Sequence, residues 1–144
     1  MYESESEKQM RESLAGFKVT ALSVSEDEGT LYLQGDGLYV QVNTEGDCCS
    51  ETWFADITGV ENLVGRHIAS FELVEMPESY NVDDGRTRQE SDEAYGIKIT
   101  TDAGYCDIVY RNSSNGYYGG SVSLSIHEGA APTNAHPITD DWSA

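Results

Sequence analysis

Ser50-Glu51-Thr52-Trp53-Phe54-Ala55-Asp56-Ile57-Thr58-Gly59-Val60-Glu61-Asn62-Leu63-Val64-Gly65 is the stretch whose reading decides the fold class of this 144-residue chain. Trp53, Ile57, Val60 and Val64 recur at helical spacing, Ser50 is a capping residue type, Glu51 suits a first turn and Gly65 suits a stop. The pattern predicts a short helix, interrupted at Gly59, with Trp53 turned into the core. The segments on either side read as strands. The expected fold class is therefore α+β: a β-rich single domain of antiparallel hairpins with one or two short helices.

Upstream, Leu31 and Leu33, the turn Gly35-Asp36-Gly37, then Leu38, Val40 and Val42 predict a hairpin, preceded by a strand through Val19, Leu22 and Val24. Residues 1–13 hold good helix formers and predict a short helix or arm. Downstream, Ile68, Phe71, Leu73 and Met76 predict a strand, and 77–93, polar and aperiodic, predicts an exposed acidic loop. A second hairpin follows, with Ile97 and Ile99 on one arm and Cys106, Ile108 and Tyr110 on the other. Val122, Leu124 and Ile126 alternate most regularly of all, and 128–144 is expected to wrap the surface as a tail. The length suits one domain over 1–144.

Leu14 to Val24 resembles Leu63 to Leu73, with Leu, Gly and each apolar position in register, and each copy precedes a hairpin. Two readings are open: a chain of two related halves, or the ordinary product of a helix stop followed by a strand. If the halves are related, two unusual stretches hold equivalent positions. One is Gly46-Asp47-Cys48-Cys49-Ser50; the other is Arg111-Asn112-Ser113-Ser114-Asn115-Gly116-Tyr117-Tyr118-Gly119-Gly120.

Charge sets the class of partner. Asp and Glu number 26 against 8 Lys and Arg, a net charge of -18. Such a surface repels nucleic acid and anionic membranes and attracts basic proteins, although an acidic face is also what a chain adapted to a salty or acidic proteome carries. No apolar run approaches membrane-spanning length, and the acidic N-terminus is unlike a signal peptide, so the expected place is the cytoplasm. Three cysteines, two of them adjacent, make no disulfide framework.

Cys48 is a poor nucleophile, because Glu45, Asp47 and Glu51 oppose thiolate formation. Cys48, Cys49, Cys106, His67 and His127 lack metal-ligand spacing, and Gly116, Gly119 and Gly120 are not followed by the Lys-Ser/Thr of a phosphate loop. No cofactor, metal or enzymatic activity is expected. The stretch 111–120 mixes Tyr, Ser, Asn and Gly around one Arg, a composition suited to binding. Candidate partner or ligand contacts are thus Asp47, Cys48, Cys49, Arg111, Asn112, Asn115, Tyr117 and Tyr118, with Asp83, Asp84, Glu90, Asp92 and Glu93 as acidic contacts.

Gly46 to Ser50, Leu63-Val64-Gly65 and Arg111 to Gly120 together resemble a family of small uncharacterised proteins, encoded mainly by bacteriophages, over roughly residues 14–126. The resemblance implies a phage or prophage origin and brings no activity or catalytic residue with it. Origin and charge together point to an acidic antagonist of a host defence or nucleic-acid-binding protein, acting in the host cytoplasm as an anti-CRISPR or anti-restriction factor or DNA mimic. The alternative is a sponge for a nucleotide signal built from the 46–54 and 111–120 loops; a third reading is a Cys-dependent enzyme. The expected partner is a host protein with a basic surface, and self-association is compatible with the same composition.

Overall fold

The computed structural model describes residues 14–46, 51–76, 91–114 and 120–144, together with Lys8 and Glu12. Apart from those two exposed positions, the arm expected over 1–13 lies outside the described residues, as does 77–90 of the expected acidic loop. Residues 91–93 of that loop belong to a strand.

The strands are β1 (Ala21–Val24), β2 (Thr30–Gln34), β3 (Leu38–Gly46), β4 (Glu51–Thr58), β5 (Ile68–Glu75), β6 (Ser91–Thr101), β7 (Gly104–Ser114), β8 (Gly120–Glu128), β9 (His136–Pro137) and β10 (Trp142–Ser143). They form two antiparallel sheets, ordered β8-β3-β2-β1-β9 and β10-β4-β7-β6-β5. The expected α+β class is thereby corrected: the protein is all-β.

The helix expected after Ser50 is strand β4, and a register shift explains why its spacing misleads. Between Phe54 and Asp56 an extra residue enters β4, so Phe54 pairs with Tyr110 and Ile57 with Ile108. A bulge resets the alternation, so two residues three apart face the same core, as they would on a helix. Trp53, one position out of phase, is buried as expected, at 1% exposed, although it packs outside the inter-sheet cluster. Within this stretch helical geometry survives as the 3-10 turn Val60–Asn62, which buries Val60 and is followed by buried Leu63.

Core side chains stack in rows across each sheet. In one sheet Leu22, Leu33, Val40 and Ile126 stand abreast, followed by Val24, Leu31, Val42 and Leu124. In the other, Phe71, Ile99 and Cys106 precede Leu73, Ile97, Ile108 and Ile57. Ile126, on the edge strand β8, is 58% exposed.

The rows disclose an approximate two-fold relation. β1, β2 and β3 are neighbours in one sheet and β5, β6 and β7 in the other, while β4 and β8 each cross to the opposite sheet. The similar segments Leu14 to Val24 and Leu63 to Leu73 meet where Lys18 bridges His67. Their hydrogen bonds are reciprocal. The Gly16 N–H donates to the Ile68 carbonyl and the Gly65 N–H to the Val19 carbonyl, both at 2.7 Å, while Val19 donates to Arg66 at 3.0 Å and Ile68 to Phe17 at 2.9 Å.

The tail 128–144 completes both sheets. Its β9 pairs with β1 and its β10 with β4, and Ile138 enters the core. Asp141 accepts from the N–H of Gly59 at 2.8 Å, fixing the start of the 3-10 turn.

Two glycines in the deciding stretch separate backbone strain from collision. Gly65 has φ 85° with open space around a would-be Cβ, whereas Gly59 has φ 80° and its Cβ would lie 2.3 Å from the Tyr105 carbonyl oxygen. Gly65→Ala is expected to cost about 1 kcal/mol, from the left-handed backbone alone, and Gly59→Ala about 3 kcal/mol, in urea denaturation.

Candidate functional site

The strand crossings define one end of the sandwich. β3 leaves its sheet at Gly46, which pairs with Gly120 at the start of β8; β4 begins at Glu51, which pairs with Ser113 near the end of β7. The two unusual stretches of sequence therefore emerge side by side. Their connecting residues, including Asp47, Cys48, Cys49, Asn115, Tyr117 and Tyr118, lie outside the described residues, as do Asp83, Asp84 and Glu90. Asp92 is on β6, with its side chain also outside the description.

Beneath the crossings the core becomes polar. The register places Thr52, Asn112 and Glu93 in one row, next to the apolar row of Phe54, Tyr110 and Tyr95. Asn112 is fully buried and its Nδ2 donates to Thr52 Oγ1 at 2.9 Å, while Thr52 Oγ1 donates to the Glu45 carbonyl at 3.3 Å. Thr44 Oγ1 lies 2.7 Å from the Gly29 carbonyl and 3.1 Å from that of Thr52, linking the sheets. Glu93 Oε2 accepts from the Tyr95 hydroxyl, so this carboxylate is held at the core margin. Among the described residues, nothing donates to Asn112 Oδ1, a cost a buried amide ordinarily avoids.

Arg111 and Asn112 are neighbours in sequence but not in space. Tyr110 belongs to the core, so on extended backbone Arg111 points to the outer face, in a row with Trp53 and Ala94. All three are at least nine-tenths buried. Asn112 and Glu93 are thus brought together, and Arg111 is directed away from both.

Cys106 fills in one half the place that Val40 fills in the other. Burial, reinforced by the charges of Asp107, Asp141 and Glu61, raises its thiol from the ordinary 9.0 to about 12. It is a small core hydrophobe rather than a nucleophile. Among the described residues no three His, Cys, Asp or Glu side chains are grouped to hold a metal, and no helix is long and apolar enough to cross a membrane.

The sequence reading missed a cleft of about 470 Å³ on the outer face of the β10-β4-β7-β6-β5 sheet. Asp56, Thr58 and Asp107 line one part of it and Val74, Met76, Gly96 and Val109 another. Gly96 in the interior of a strand was the available signal. Asp56 was concealed by the bulge, without which its face cannot be assigned.

An all-β sandwich with a polar crossover end and an acidic exterior is the class these features define. The chain belongs to the family described as domain of unknown function (DUF7448), matched over residues 12–124. It is also similar to an uncharacterised protein, L278, of Acanthamoeba polyphaga mimivirus, 38% identical over 93 residues that cover 60% of this chain and 68% of the viral protein. No solved structure matches.

The place of Cys106 carries a direct test. In a Cys48→Ser/Cys49→Ser variant, the remaining thiol is expected to resist an aromatic disulfide reagent at pH 8 and to react fully once urea unfolds the chain. Its raised folded pKa contributes stability that is fully present below about pH 9 and declines as pH rises towards 12. A Cys106→Val variant is expected to flatten that alkaline decline, measured by urea unfolding from pH 8 to 11.

Proposed function

We propose that this protein is a non-enzymatic binding protein whose acidic surface engages a basic, nucleic-acid-handling protein of a host cell. In its finer form the reading is a viral, specifically bacteriophage, antagonist of host defence that presents fixed carboxylates in place of a phosphate track. The similarity to a mimivirus protein supports the viral part.

One observation carries the proposal: several surface carboxylates have no ion-pair partner among the described residues. Among the described residues Arg66 pairs with Asp102 at 3.6 Å and Lys98 lies over the Tyr105 ring. Asp36, Asp56, Glu61, Glu72, Asp107 and Glu128 carry no ion pair there. Charges left open on a rigid sheet act at a distance, and their attraction for Lys and Arg weakens as salt shortens the Debye length.

A second reading, a small-ligand sponge at the crossover end, draws on the buried Asn112 Oδ1 beneath the two unusual stretches. It predicts a co-purifying mass of a few hundred daltons that disappears in Asn112→Ala.

The binding protein, immobilised and exposed to host lysate, is expected to capture a basic partner at about 50 mM salt and to release it by about 500 mM. Duplex DNA should compete for that partner. Capture that is indifferent to both salt and DNA would sink the mimic, and native mass spectrometry of the same preparation tests the sponge.

A further inference from the structure

We propose that the cleft on the outer face of the β10-β4-β7-β6-β5 sheet is an anchor site for a lysine side chain of the protein partner. The inference rests on the acidic-surface reading and gives that surface a specific point of contact.

The cleft follows from one missing side chain. Val74, Gly96, Val109 and Asp56 stand abreast on β5, β6, β7 and β4. Gly96 puts no side chain in the middle of this row, and Val74 and Met76 lean into the space above it: a Cβ at position 96 would meet Val74 Cγ2 at 2.5 Å and Met76 Sδ at 2.8 Å. The result is an apolar trough. Asp56 ends the row, and the next row pairs Thr58 with Asp107, so two carboxylates and a hydroxyl gather at one side.

A lysine matches this arrangement along its length. Its butyl stem lies against Val74 and Val109, and its compact three-donor ammonium reaches Asp56 and Asp107. Anionic ligands are disfavoured, because no basic residue lines the cleft among the described residues. The domain's own nearest cation does not fill the role. Lys98 stands beside Asp107 in the register, but its Nζ lies 3.9 Å from the centroid of the Tyr105 ring and pairs with no carboxylate among the described residues.

The test is a titration of the full chain, labelled at amide nitrogen and valine methyl carbon, with acetyl-tetralysine amide at about 50 mM salt. Saturable shifts are expected at the Gly96 amide and the Val74 and Val109 methyls. Asp56→Asn and Asp107→Asn should each weaken binding about twofold to fivefold, as loss of an exposed ion pair implies, while Glu26→Gln and Glu128→Gln leave it unchanged. Binding that spreads over the acidic surface, spares the methyls and ignores Asp56→Asn and Asp107→Asn would overturn the anchor but leave the acidic-surface reading intact. No binding at low salt would overturn both.

Discussion

Four reciprocal backbone hydrogen bonds between residues 16–19 and 65–68 set the geometry on which the rest of the sandwich depends. Each is worth only about 1 kcal/mol net, so their importance lies in alignment more than in energy. They fix where β1 enters one sheet and β5 the other, and from those starting points the registers run outward strand by strand. A slip of one residue would turn Leu22 and Val24, or Phe71 and Leu73, away from the core. Both segments begin at a glycine of left-handed backbone, φ 83° at Gly16 and 85° at Gly65, which lets the chain turn sharply enough to present its N–H to the other half.

That alignment also divides the chemistry of the molecule. Inside, the rows are aliphatic and aromatic up to the crossover end, where Thr44, Thr52, Asn112 and Glu93 replace them. Outside, the same strands present carboxylates, and the bulge in β4 determines that Asp56 is among them. Cys106 shows the division at one residue: Asp107 beside it faces solvent, while its own thiol lies in the low-dielectric interior and stays protonated. A residue that composition alone marks as reactive is made inert by its row.

Much of the sheet structure was legible, because alternation is a period-two signal that survives without tertiary information. Leu31 to Val42, Ile97 to Tyr110 and Val122 to Ile126 all read as strands for that reason. β4 did not, since its bulge places Phe54 and Ile57 on one face and so imitates a helical period. The crossover end was legible only as two odd stretches of composition; that their stems adjoin depends on the pairing of Gly46 with Gly120, a contact between distant parts of the chain. The separation of Arg111 from Asn112 required knowing that both are in strand rather than loop. The cleft required register across four strands, which no single segment of sequence contains.

The exchange of β4 and β8 between the two sheets has a kinetic consequence. Neither half can complete its own sheet: β3 finds its outer neighbour only in β8, and β7 only in β4. The pairing of Leu38 with Glu128 joins positions 90 residues apart, and little of the barrier can be crossed by local hairpins alone. Loop closure must precede the contacts that compensate for it, which places this domain among slow-folding topologies. Each three-stranded meander, formed first, would wait with an open edge for a strand that belongs to the other.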